Sequence, residues 1–179
     1  GYDSANKGGM VFDGVNDYID CGTNQITGSA SFTLSSWFKT TTVSKYSGVI
    51  SIGGANNGPY IGTVAAAQVG TSSSIGGGFY GNNWGTGITT LNTWIHLAMT
   101  YSGGTNGLTG FYVNGAVRLS QNFGGTPNIP STLTRVGRIA TDTIYDLNGS
   151  ISLAQIYNRA LSAAEVVQNF NATRGRYGI

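Results

Sequence analysis

The chain has 179 residues, only 9% of them charged, with 29 glycines and a formal net charge of +2 at pH 7. Average globular proteins are about 25% charged and about 7% glycine, and disordered chains combine high charge with few aromatics, so this composition excludes disorder. So small and scattered a charge excludes a nucleic-acid surface, and no apolar run approaches the roughly 18 residues of a membrane span. One domain over residues 1–179 is expected, and its Gly, Ser, Thr and Asn content suits short strands joined by many turns. Beginning at Gly1 rather than Met, the chain reads as a fragment or a processed product.

In chain order, the first strands expected are MVF (10–12) and YIDC (18–21). In SFTLSSWFK (31–39), Phe32, Leu34 and Phe38 share one face while Trp37 and Lys39 share the other. GVISI (48–52) and YIGTV (60–64) follow. GGGFYGNNWGTG (76–87) then sets three aromatics among turn-forming residues and reads as a stretch built to bend. WIHLAMTY (94–101) alternates Ile95, Leu97, Met99 and Tyr101 against Trp94, His96, Ala98 and Thr100. In GFYVNGAVRLS (110–120), Asn114-Gly115 is the type I′ hairpin pair, because both central residues need positive φ. LTRVGR (133–138) and ISLAQIY (151–157) are the last strands expected. A helix is expected at 162–171, opened by the capping box Ser162-Ala163-Ala164-Glu165, with Leu161 and Val166 as a hydrophobic staple. About a dozen strands and one late helix predict an all-β fold, a two-sheet antiparallel jelly-roll sandwich with a short C-terminal helix.

VFDGVNDYID (11–20), FTLSSWFK with the later NTWIHLAMTYSG and FYVNG, and LNGSISLAQIYNRALSAAEV (147–166) resemble, in order and spacing, the laminin-G-like branch of the concanavalin A-like lectin/glucanase superfamily. The C-terminal QNFNATRGRYGI is similar to the ends of such domains in tailed-phage virion proteins. The resemblance implies a jelly roll of two curved sheets. It also implies a structural calcium bridging the first strand to the last, for which Asp13, Asn16 and Asp17 stand in the first pattern. In the last pattern Ser152 stands where an aspartate is expected, leaving Asp146 or Asn148 as substitutes. The alternative is that Asp13-Gly14 and Asn16-Asp17 are turn residues.

The glycoside hydrolases of that superfamily need paired carboxyls about 5–5.5 Å apart on one strand. Here the one glutamate, Glu165, caps a helix, and among Asp3, Asp13, Asp17, Asp20, Asp142 and Asp146 no two stand at i, i+2 within an expected strand. No enzyme is therefore expected. His96 reads as packing, and the lone Cys21 as a small buried hydrophobe without a disulfide partner. Sugar sites pair aromatic faces with side-chain amides, which singles out Tyr80, Asn82, Asn83 and Trp84, extended by Tyr46 and Tyr60. The same rings could instead fill the core or a subunit interface. The function expected is non-catalytic recognition of a carbohydrate, such as a host-surface glycan, on a virion or extracellular surface. The alternative is a structural virion domain packing on neighbouring subunits as a homo-oligomer. Neither nucleic acid nor membrane insertion is expected.

Overall fold

A computed structural model of the chain describes residues 2–3, 7–53, 58–66, 72–139 and 145–179. The strands are β1 (Tyr2–Asp3), β2 (Gly9–Asp13), β3 (Ile19–Thr23), β4 (Phe32–Thr40), β5 (Ser47–Ile52) and β6 (Pro59–Val64). Then come β7 (Ser74–Phe79), β8 (Asn82–Ile88), β9 (Ile95–Tyr101) and β10 (Leu108–Val113). β11 (Ala116–Asn122), β12 (Leu133–Val136) and β13 (Asn148–Tyr157) precede the helix α1 (Ala163–Thr173). Seven strands form one sheet in the order β1-β2-β13-β4-β9-β10-β11, and six form the other, β3-β12-β5-β6-β7-β8. The two sheets stack as an antiparallel jelly-roll sandwich with one short helix near the C-terminus. Among the described residues no helix is long and apolar enough to cross a membrane.

Strand alternation builds the core. Phe32, Leu34 and Phe38 of β4 and Leu97, Met99 and Tyr101 of β9 point inward, meeting Ile50, Ile61 and Phe79 from the facing sheet. Each such side chain contributes roughly 1.5–3 kcal/mol by leaving water. The outward side of β4 and β9 is buried as well, because α1 and the turn after it lie across it. Trp37 stacks on Tyr177 at 3.9 Å between ring centroids and on Phe170 at 5.7 Å. The Trp37 indole N–H donates to Thr173 Oγ1 at 2.8 Å. Leu161 and Val166 cover Ala98, as the staple predicts.

Local signals set the ends of these elements. Asn114 and Gly115 have φ of 51° and 77°, closing the β10–β11 hairpin. A side chain at Gly115 would also crowd the Phe170 ring, so glycine is required twice. Ser162 Oγ accepts from the Glu165 N–H, and Glu165 Oε2 accepts from the Ser162 N–H at 2.8 Å. The same carboxylate takes both arms of Arg159, at 2.7 and 3.0 Å.

GGGFYGNNWGTG departs from expectation. It is a hairpin of two regular strands, β7 and β8, joined at Tyr80-Gly81. Its glycines serve close packing: an ideal Cβ on Gly77 would lie 2.2 Å from the Tyr60 carbonyl oxygen of β6, and one on Gly78 2.3 Å from that of Asn82. Within β8 alternation sends Asn82 and Trp84 inward. Trp84 packs against Phe79, Phe111 and Phe123 at 6.3–6.5 Å, and Asn82 Nδ2 donates to the Phe123 carbonyl at 3.2 Å. Cys21 also differs from expectation, lying exposed on the edge strand β3.

Under α1, His96 is 1% exposed, its Nε2 2.9 Å from Ser35 Oγ and its Nδ1 without a partner. Burial lowers its pKa to about 4 from the ordinary 6.5. Between those values the unfolded chain binds a proton that the folded chain refuses. Stability is therefore complete above about pH 6.5 and falls by up to about 3 kcal/mol as pH drops toward 4. Thermal melts at pH 7 and 4.5 should show this loss, and His96→Gln should flatten it. By its packing, Trp84→Ala should cost about 3 kcal/mol, read as a lower urea midpoint.

Candidate functional site

Register across the six-stranded sheet places Ser51, Tyr60, Gly78 and Asn83 side by side on its outward face. Gly78 offers no side chain between its neighbours. Tyr60 Oη therefore reaches across β7 and donates to Asn83 Oδ1 at 2.9 Å. Asn83 Nδ2 donates in turn to Tyr46 Oη at 2.9 Å. Tyr46, just before β5, sets its ring edge-on to Tyr60 at 6.3 Å and to Tyr145 at 5.5 Å. Tyr145 is anchored because its carbonyl accepts from the Gly48 N–H of β5 at 3.1 Å. Ile139 packs on Tyr60 and Val64, and Tyr80 with Gly81 forms the opposite rim.

These groups enclose a cavity of about 80 Å³. Burial pushes the Tyr46 hydroxyl up to about 12, with Tyr145 adding and the Asn83 hydrogen bond opposing. Burial also carries Tyr60 well above the ordinary tyrosine value. Both phenols are neutral at physiological pH. The cavity thus offers apolar ring surface, two phenol oxygens and an amide already oriented by two hydrogen bonds. Such a wall suits a neutral, hydroxyl-bearing ligand with an apolar face.

Of the six residues singled out for ligand contact, four meet here: Tyr46, Tyr60, Tyr80 and Asn83. Asn82 and Trp84 do not, because one residue's step along β8 turns a side chain to the other face of the sheet. The structure adds Tyr145, Ile139 and Gly81. Reading NNWGTG as a strand would have separated Asn83 from Asn82 and Trp84. Nothing in the local sequence around Tyr145 signals its approach to Tyr46.

The carboxylates among the candidate calcium ligands are held by protein donors. Asp13 Oδ1 accepts from the N–H groups of Val15 at 2.8 Å and Asn16 at 3.3 Å, which lowers its pKa and makes it the cap of a turn. Asp17 Oδ2 accepts from the Asp13 N–H. Asp146, 1% exposed, faces Arg138, whose Nε lies 2.5 Å from its carboxylate. Lys45 Nζ donates to the Gly14 carbonyl at 3.2 Å, setting a cation beside this turn. Ser152 Oγ donates to the Lys7 carbonyl at 2.8 Å and accepts from Tyr177 Oη at 3.0 Å. Among the described residues no three His, Cys, Asp or Glu side chains cluster. Asp142 lies outside the described residues, as does the side chain of Asp3. Calcium needs six to eight oxygens, several of them anionic, and Asp13, Asp17 and Asp146 already accept from protein donors.

Among curated proteins none matches the sequence. Solved structures do. Domain 4 of an extracellular arabinanase from Geobacillus stearothermophilus, in complex with arabinotriose, is 20% identical with a TM-score of 0.65, over 89% of this chain and 75% of that one. A heptameric SAP-like pentraxin from Limulus polyphemus is 17% identical with a TM-score of 0.62, over 88% of this chain and 78% of that one. A carbohydrate-binding module of a Ruminococcus gnavus sialidase, bound to α2,3-sialyllactose, is 14% identical with a TM-score of 0.55, over 87% of this chain and 97% of that one. At such identities the likeness establishes the fold. A family model of laminin G type matches residues 13–167, most of the chain, and with the two-sheet architecture this makes the protein a member of the concanavalin A-like lectin/glucanases superfamily.

Proposed function

We propose that this domain is a non-catalytic glycan-binding module and that the tyrosine pocket on the six-stranded sheet is its binding site. The observation that carries the reading is the chain Tyr60–Asn83–Tyr46, an amide pre-oriented by two phenols inside a wall of rings. Two of the structural relatives, the arabinanase domain and the sialidase module, are bound to saccharides, which supports the reading. No described carboxylate lines the pocket, and Glu165 is held by Arg159 and Ser162 far from any sugar chemistry. The setting we propose is extracellular or on a surface. The run QNFNATRGRYGI, which suggested a virion, spends Phe170, Thr173 and Tyr177 on clamping Trp37 and carries no argument beyond that. Trp84 is half-buried against the core, so its ring serves packing within the domain first. We also propose that the fold stands without calcium.

A glycan array followed by titration of the hits tests the first proposal. Tyr80→Ala should lose at least about tenfold in affinity while stability falls by less than about 1 kcal/mol. Retained affinity in that variant places binding elsewhere. Melting in millimolar calcium and in chelator should give the same temperature, since a ligand held at one hundred times its Kd would add about 2.7 kcal/mol.

A further inference from the structure

We infer that the tyrosine pocket takes neutral sugars and rejects acidic ones, an inference that rests on the glycan-binding reading above. All 9 Lys and Arg residues of the sequence are among the described residues, and none lines the pocket. The two that adjoin lining residues in the chain are committed elsewhere. Lys45 Nζ donates to the Gly14 carbonyl, and Arg138 pairs with buried Asp146 while lying 4.3 Å from the Tyr18 ring centre. Between Ile139 and Tyr145 the sequence holds one charged residue, Asp142, which is an acid and supplies no cation.

The hydrogen-bonding inventory points the same way. Tyr60 spends its proton on Asn83, and Asn83 spends one N–H on Tyr46. Among these three residues there remain one O–H from Tyr46, one N–H and one lone pair from Asn83, and lone pairs on Tyr60, and Tyr80 and Tyr145 bring two more phenol hydroxyls to the lining. Donors and acceptors therefore alternate. Sugar hydroxyls both give and take, and match this pattern. A carboxylate only accepts, so it could use the donors but not the lone pairs, and it would lose its water with no lining cation to pair it.

Calorimetric titration with matched oligosaccharides tests this. Galactobiose is set against digalacturonate and lactose against α2,3-sialyllactose, with further pairs chosen from any array hit. Wherever a pair binds, the neutral member should bind at least about tenfold more tightly, and Asn83→Ala should abolish that binding. Tyr46→Phe, which removes one hydroxyl and keeps the ring, should weaken it if Asn83→Ala fails to fold. An acidic member bound as tightly as its neutral partner, and lost in either variant, overturns the charge inference and leaves glycan binding standing. Binding to no glycan, or binding indifferent to both variants, overturns the reading of the pocket and the inference with it.

Discussion

Across Gly76, Gly77 and Gly78 the backbone of β7 runs so near its neighbours that a methyl group on any of the three would sit 2.2 or 2.3 Å from a carbonyl oxygen. Glycine in a strand forfeits roughly 0.5–1 kcal/mol in chain entropy, so three in a row must be offset by the ladder hydrogen bonds and the core beneath. The ladder they permit fixes β8 at the sheet edge. Once β8 is a strand, its alternation sends Trp84 into the core and Asn83 to the outside. The clear space over Gly78 then brings Tyr60 and Asn83 together.

The two outward faces of the sandwich meet different fates. Over the seven-stranded sheet, α1 and the following turn close down on Trp37, His96 and Ala98, and the aromatic stack holds them there. Over the six-stranded sheet the aromatics stand around a cavity instead of filling one another's space. The difference lies in side-chain size. Trp37 on β4 is large and meets partners from α1, whereas Gly62, Gly76 and Gly78 on β6 and β7 leave a floor that no described helix covers.

Much of the architecture was legible in the sequence, because its signals are local. Asn114-Gly115 requires positive φ, Ser162 and Glu165 satisfy one another's backbone, and β4 and β9 alternate plainly. The β7–β8 hairpin escaped because glycine carries no hydrophobic signal, so Ser74–Phe79 shows no alternation to detect. The site was half legible for the same reason. The chemistry of Tyr46, Tyr60, Tyr80 and Asn83 could be recognised by type, but their separation from Asn82 and Trp84 needed the strand. Tyr145 needed the tertiary fold outright. Ser152 shows the converse: a position where resemblance expects an anion is occupied by a hydroxyl tying Lys7 to Tyr177, a use that only the folded ends reveal.

The distribution of rings also divides the protein optically. The three tryptophans of the sequence lie in the core or beneath and beside the C-terminal turn: Trp84 against Phe111, Trp37 on Tyr177, and Trp94 at 5.2 Å from Tyr177. The aromatic rings that line the cavity are all tyrosines. Indole emission thus reports on the integrity of the sandwich and on the docking of its last residues. Near-ultraviolet dichroism of the phenols adds the four cavity tyrosines to those of the core, so a dichroism change without a shift in indole emission marks an event at the cavity.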